Sequence, residues 1–255
     1  VPNTAPTAAS TGADLNGWAA HLAATTIRGR MAEVAGALWE VPAEDVRFAE
    51  GRVFVARPGD NRAMGFADLA HRCWMERVSL SATGFYRTPD IHWDPATMTG
   101  EPFFYFSYGA SVAEVAVDLL TGEHRVLRAD LAQDCGRSLN PAVDRGQIEG
   151  AFVQGMGWLT CEELVWDAEG RQRTLGPSTY KIPGSRDVPP AFNVRLLQDA
   201  PARQDTIFRS KAVGEPPLML ATAVWNAILD ATGLDRIDLP ATPDRILTAL
   251  SAGGS

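Results

Sequence analysis

Two alternating runs of apolar and polar residues constrain the fold of this chain most. They occupy residues 111–120 and 125–131, on either side of a Thr121-Gly122 pair that favours a sharp reversal. This pattern predicts a β-hairpin near the middle of the chain. An all-helical fold is therefore excluded.

Helical patterns occupy much of the remaining sequence. After a proline-punctuated loop over residues 1–11, apolar spacing predicts a long helix to about residue 39, with Ser10 and Thr11 as candidate N-caps. Further helices are expected at residues 66–77, 141–164, 218–231 and 242–250. Further strands are expected in a hairpin at residues 46–56, around Glu50-Gly51, and in short segments at 172–174 and 192–197. The predicted fold class is α+β, a mixture of helices and β-sheet.

Two of the predicted helices have unusual compositions. The segment at residues 218–231 is apolar on nearly every side, so we expect it to be buried. The segment at residues 141–164 contains four glycines, each costing about 1 kcal/mol of helix propensity against alanine. We expect these glycines, Gly146, Gly150, Gly155 and Gly157, to allow close backbone approach.

Composition limits the classes of function. The 255 residues can bury the core of one large domain or two small ones, and a net charge of −8 argues against nucleic acid as a partner. The most apolar stretch, residues 218–225, is shorter than the ~20 residues that span a bilayer, and the pattern before the first helix does not predict a secretory signal. Three cysteines without a CxxC pair favour reduced thiols and a cytoplasmic location.

Three segments could hold a functional group. The small residues 7–12 lead into a helix, whose start can bind an anion or can simply be capped. The glycine-rich helix carries Gln147 and Gln154, whose amides suit a heteroatom-rich ligand or an ordinary interhelical contact. Glu215 stands between a glycine and Pro216-Pro217. It is interpreted either as a base, with a pKa that burial would raise, or as a carboxylate that interacts with the dipole of the helix that follows.

Several common sites have no counterpart in the sequence. The four histidines lack metal-binding spacing, and GxGxxG, GxxxxGKS and GxSxG motifs do not occur. The pattern therefore predicts neither a histidine metal site nor a nucleotide cradle nor a hydrolase elbow.

Long motifs in order along the chain carry a family resemblance. They are VPNTAPTAASTGADLNG at 1–17, LSATGFYRTP at 80–89, PFFYFSYGA at 102–110, LTGEHRVLRADLAQDCGRSLNPAVDRGQIEGAFVQGMG at 120–157, GPSTYKIP at 176–183 and SKAVGEPPLMLA at 210–221. The chain resembles the molybdenum hydroxylases of the xanthine oxidase family over nearly its whole length. The matching part is the C-terminal region of the molybdopterin-binding subunit, so residues 1–255 are interpreted as one such region of a larger subunit.

The resemblance implies a molybdenum–molybdopterin cofactor and roles for particular residues. Glu215 falls on the general base that deprotonates a molybdenum-bound hydroxide, after which hydride passes to the sulfido ligand. Ala8, Ala9 and Ser10 fall on the loop beside the cofactor, with only the backbone of Ala9 near the metal. Gln147 falls on a glutamine near the cofactor.

The resemblance also implies the reaction and the partners. GEPP, TAAS and GPSTYKIP are similar to the xanthine dehydrogenase branch, which hydroxylates hypoxanthine to xanthine and then to urate. An aldehyde-oxidase-like hydroxylase of other heterocycles or aldehydes is the first alternative, and a non-catalytic scaffold subunit is the second. An upstream molybdopterin-binding portion is expected as a partner of this chain. The family's 2Fe-2S clusters and FAD are expected on other portions of the enzyme. We expect activity only with those portions, in a dimer of the whole assembly.

Overall fold

Two hydrophobic cores divide the chain into two units. The computed structural model describes residues 10–197, 202 and 204–253. Among these, residues 11–89 form the first unit, and Ser10 joins residues 90 onward in the second.

The first unit is a long helix with a small antiparallel sheet and a second helix. The sequence predicted both helices and the hairpin, whose turn residues Glu50 and Gly51 have positive φ values of 49° and 72°. Strand β3 extends that hairpin to three strands in the order β1-β2-β3. The elements are α1 (Gly12–Trp39), β1 (Val46–Ala49), β2 (Arg52–Val55), β3 (Ala63–Gly65) and α2 (Phe66–Met75).

The core of the first unit covers only one end of α1. Its buried residues lie in the C-terminal half of the helix, between Met31 and Gly36. They join buried residues of the sheet and of α2, including Val53, Leu69 and Cys73. Burial raises the pKa of the Cys73 thiol, which therefore stays protonated near neutral pH.

The second unit packs helices against a mixed three-stranded sheet in the order β6-β7-β8. Strands β6 and β7 form the predicted antiparallel hairpin, and β8 runs parallel to β7. A parallel pair needs a long crossover, and helix α3 lies in the connection between β7 and β8. The elements are β4 (His92–Asp94), β5 (Thr99–Glu101), β6 (Gly109–Val117), β7 (His124–Gln133), α3 (Pro141–Thr160), β8 (Ala191–Leu196), α4 (Thr222–Thr232) and α5 (Pro243–Gly253).

Two predicted elements end several residues earlier than expected, each at a local hydrogen bond, and one predicted strand does not form. Strand β6 stops at Val117, since the Asp118 carboxylate accepts from the Leu120 N–H at 2.8 Å and opens a wider turn. Helix α3 stops at Thr160 because the N–H groups of the next two residues both donate to the Gly157 carbonyl. The strand expected at residues 172–174 is only an isolated bridge between Trp166 and Gln172.

The helix expected at residues 218–231 is two elements rather than one. A 3₁₀ turn covers Pro216–Ala221, and α4 begins only at Thr222. Burial is confined to one side, with Val224 and Ile228 fully buried and the Met219 side chain 62% exposed. Within the described ranges, no helix combines the length and apolar character needed to cross a membrane.

The glycines of α3 divide into two kinds. A Cβ on Gly155 would lie 2.4 Å from the Leu218 carbonyl oxygen, and one on Gly157 would lie within 2.6 Å of Pro183 Cδ. The expectation of close approach is confirmed for these two. It is wrong for Gly146 and Gly150, around which a Cβ would meet no atom of the described residues within 4 Å.

We predict that Gly155→Ala lowers the free energy of unfolding by about 1–3 kcal/mol, since the new methyl group overlaps backbone that cannot rotate away. The matched control is Gly150→Ala in the same helix, which should raise stability by up to about 1 kcal/mol through helix propensity alone. Denaturant unfolding of both variants measures the difference. Equal effects of the two substitutions would contradict the packing described here.

Candidate functional site

The segment that ends in Glu215 is held against the chain that follows strand β7. Ser210 forms an antiparallel bridge with Gly136. The Lys211 N–H donates to the Cys135 carbonyl at 2.8 Å. Burial raises the pKa of the Cys135 thiol, so this residue acts as a small apolar side chain and not as a nucleophile. The end of the sheet thus sets the position of the segment.

A buried ion pair fixes the start of the same segment. The Lys211 ammonium donates to the Asp134 carboxylate, and the two side chains are only 10% and 7% exposed. Lys211 also donates to the Phe106 carbonyl at 3.0 Å, while the second Asp134 oxygen accepts from the Gly136 N–H at 2.8 Å. Both charges therefore have additional polar partners, as burial requires.

Two tyrosines complete the contacts around Lys211. The Tyr105 hydroxyl accepts a hydrogen bond from the Ala212 N–H at 2.8 Å. The Lys211 Nζ atom lies 5.8 Å from the centroid of the Tyr108 ring, within the range of a cation–π interaction. The aromatic segment before β6 thereby holds the chain three to four residues ahead of Glu215.

Glu215 is held by its backbone, and its side chain is exposed. Its N–H donates to the Ser10 hydroxyl at 2.8 Å, and its carbonyl accepts from the Leu218 N–H at 3.0 Å. The carboxylate does not cap the 3₁₀ turn that follows. The expected burial of this carboxylate is therefore not found in the described residues.

Gly214 brings two further predicted site residues together. A Cβ at this position would lie 2.9 Å from Ser10 Oγ and 3.4 Å from Gln147 Oε1. Ser10 has a positive φ of 54°, a conformation unusual for a residue with a side chain and frequent at functional sites. It does not cap α1, whose N-cap is Thr11. Ser10, Gln147 and Glu215 thus meet at one point, whereas Gln154 is exposed farther along α3.

A cavity of about 880 Å³ opens beside this point. Ser10 and Glu215 line it together with mostly small, apolar and aromatic residues of the segment before β6, of β6 and of the 3₁₀ turn. This volume lies in the usual range of small-molecule sites. An apolar lining with few polar groups is also typical of such sites. The arrangement suits a planar organic ligand reached by one carboxylate.

Gln133 is a polar lining residue of this cavity that is only 1% exposed. Its amide nitrogen donates to the Ser107 hydroxyl at 2.7 Å, while its Oε1 atom has no hydrogen-bond partner among the described residues. Gly109 makes room for that oxygen, since a Cβ there would lie 2.4 Å from it. A buried amide oxygen without a hydrogen-bond partner costs free energy of folding. This wall of the cavity therefore contains a polar atom whose hydrogen-bonding capacity is unused.

Two predicted site residues, Ala8 and Ala9, lie outside the described residues, and so does the expected approach of the Ala9 backbone to a metal. Within the described ranges, no three His, Cys, Asp or Glu side chains gather where they could hold a metal ion.

Sequence reasoning missed the supporting residues Asp134 and Tyr105 and the cavity-lining residue Gln133. Asp134 and Tyr105 are far in sequence from the segment that they support, so no local spacing reveals these contacts. The composition did contain one signal for Lys211, the partner of Asp134. The sequence contains 21 arginines but only two lysines, one of which is Lys211.

Comparison with known proteins identifies the family. The profile of the molybdopterin cofactor-binding domain matches residues 1–189, about three quarters of the chain. The chain belongs to this family. Its members are named for the cofactor that the sequence resemblance implied.

Curated relatives agree with the family. The chain is 45% identical to xanthine dehydrogenase/oxidase of Gallus gallus and 46% identical to xanthine dehydrogenase of Dictyostelium discoideum, in each case over 98% of its own length. It spans only 17% and 18% of the length of these relatives.

Solved structures of molybdenum enzymes share the fold. Quinoline 2-oxidoreductase from Pseudomonas putida 86 superposes with a TM-score of 0.78 over 96% of this chain and 30% of its own, at 27% identity. CO dehydrogenase from Oligotropha carboxidovorans gives a TM-score of 0.79 over 100% of this chain and 31% of its own, at 20% identity. The predicted α+β fold of a molybdopterin-binding domain is confirmed.

We predict that Lys211→Met lowers the free energy of unfolding by about 3–5 kcal/mol, because it leaves the buried Asp134 carboxylate without its counter-charge. The other lysine provides the matched control. Lys181 is exposed and donates only to the Ser178 carbonyl, so Lys181→Met should change stability by less than about 0.5 kcal/mol. Denaturant unfolding compares the two, and a Lys211→Met variant as stable as Lys181→Met would contradict the buried pair.

Proposed function

We propose that this chain is the C-terminal cofactor-binding part of a molybdenum hydroxylase of the xanthine dehydrogenase type. The observation that carries the proposal is that Ser10 and Gln147 converge on Gly214, beside a cavity lined by Ser10 and Glu215, in a chain of this family. The relatives named above support the reaction type. The proposal includes all 255 residues as one region of a larger molybdopterin-binding subunit.

The residues present fit the cofactor. A pterin is planar and rich in nitrogen and oxygen, and the site offers the Ser10 hydroxyl and the Gln147 amide, which come together because Gly214 between them has no Cβ. The unpaired Gln133 oxygen adds an acceptor in the cavity wall. We propose that Ser10 and Gln147 hold the molybdopterin, together with Ala8 and Ala9, where Ala9 offers only its backbone beside the metal.

Glu215 is the proposed general base. When bound, the cofactor supplies hydroxylation coupled to two-electron oxidation. Glu215 accepts a proton at its carboxylate, for which the group has to lie within about 3 Å of the proton that it removes. Its backbone is held on both sides while its side chain is exposed, so the carboxylate can reach a ligand at the cavity.

Replacement of this base gives a direct test in the complete enzyme. Glu215→Gln keeps the size of the side chain but cannot accept the proton, and it should lower kcat by about 10²–10⁴-fold while the molybdenum content stays unchanged. Glu169→Gln is the matched control, since Glu169 is also exposed and pairs only with the surface residue Arg171. If Glu215→Gln retained its turnover, the proposed mechanism would be contradicted. The result would favour a non-catalytic scaffold role for this chain within the enzyme.

The proposed substrates are purine heterocycles, oxidised from hypoxanthine to xanthine and to urate. The support is the 45% identity to a xanthine dehydrogenase/oxidase, while an aldehyde-oxidase-like enzyme is the alternative. Turnover of the complete enzyme on xanthine and on an aromatic aldehyde separates them. We predict a higher kcat/KM for xanthine than for the aldehyde. The reverse preference would favour the aldehyde-oxidase-like alternative.

The proposed partners follow from the small share of each relative that the chain spans. We propose that an upstream molybdopterin-binding portion completes the cavity, that 2Fe-2S clusters and FAD lie on other portions, and that the assembly is a dimer. The three free cysteines support a cytoplasmic location, where thiols stay reduced.

A further inference from the structure

The placement of the Glu215 carboxylate depends on its backbone. No hydrogen bond or ion pair to this carboxylate occurs among the described residues, and the side chain is exposed. Whatever fixes the backbone of residues 211–215 therefore decides where the carboxylate can reach. Besides the hydrogen bond from the Lys211 N–H to the Cys135 carbonyl, two side-chain contacts fix it from the front, and both come from residues distant in sequence.

The first contact is the ion pair of Lys211 with Asp134, which is buried and extended by the Phe106 carbonyl. The second is the hydrogen bond from the Ala212 N–H to the Tyr105 hydroxyl, at 2.8 Å. Both lie on the same short stretch, three to four residues before Glu215. Gly214 separates this stretch from the carboxylate and has no side chain that could hold the backbone, so loss of either contact loosens the backbone just ahead of Glu215.

We propose that Lys211, Asp134 and Tyr105 are positioning residues for the proposed base, a role that rests on the proposed function. They do not touch the substrate in this account. They hold the backbone so that the Glu215 carboxylate stays within reach of its proton. An error of about 1 Å in such placement can cost 10²-fold in rate, which makes the contribution measurable.

The main variant neutralises the pair without leaving a buried charge. Lys211→Met combined with Asp134→Asn removes both charges, while the asparagine oxygen can still accept from the Gly136 N–H. In the complete enzyme we expect kcat per bound molybdenum to fall about tenfold or more, with KM changed less than about threefold. Lys181→Met is the control and should match the unmodified enzyme.

Tyr105→Phe is the second variant and decides the question if the neutralised pair fails to fold. It removes only the hydroxyl that accepts from the Ala212 N–H, and we expect a several-fold loss of kcat per molybdenum at unchanged KM. Tyr180→Phe is its control, because the Tyr180 hydroxyl donates to Glu162 at 2.6 Å and does not line the cavity beside Glu215.

The outcomes separate this inference from the proposed function. Unchanged kcat per molybdenum in these variants, a loss that only follows lost molybdenum, or a raised KM at constant kcat would each overturn the positioning role. If Glu215→Gln is inactive while these variants work normally, the proposed function stands and only the positioning role fails. If Glu215→Gln is fully active, the proposed function itself fails.

Discussion

The buried ion pair between Lys211 and Asp134 is the constraint on which the candidate site depends. It joins the chain after β7 to the segment that carries Glu215, and it includes the Phe106 carbonyl of the aromatic segment before β6. Three segments distant in sequence are thereby fixed at one point. A buried charge is costly when it loses its partner, so this junction favours a single arrangement of all three.

Close packing supports the other side of the site. Gly155 lets α3 approach the 3₁₀ turn after Glu215, with the Leu218 carbonyl oxygen only 2.4 Å from where a Cβ would lie. The same helix carries Gln147, whose Oε1 atom would lie 3.4 Å from a Cβ at Gly214. Helix α3 thus contributes both to the core of the second unit and to the packing around Gly214.

Much of the fold could be predicted from local pattern. Periodicity located α1, α2, both hairpins and strand β8. Each of these elements has a more buried face, and the apolar residues of that face recur at a regular spacing in the sequence. Periodicity missed the break at Thr222 within the predicted helix at 218–231, since a 3₁₀ turn and an α-helix share similar apolar spacing there. It also overestimated burial, because Met219 lies in an apolar stretch and is nevertheless exposed.

The site was predictable only in part. The motifs drew attention to Ser10, Gln147 and Glu215, and the structure places these three around Gly214. Their supports were not predictable, because Asp134 and Tyr105 act across 77 and 107 positions of sequence. Gln133 gave no signal at all, since an unpaired amide oxygen becomes visible only when the surrounding core is known.

A crystal structure of the cofactor-loaded enzyme would show whether the cofactor lies against Gly214 and Glu215. We predict that the pterin contacts Ser10 and Gln147, and that the Glu215 carboxylate points into the adjoining cavity, within about 3 Å of the reacting group. A cofactor bound away from Gly214, or a Glu215 carboxylate turned out of the cavity, would contradict this prediction.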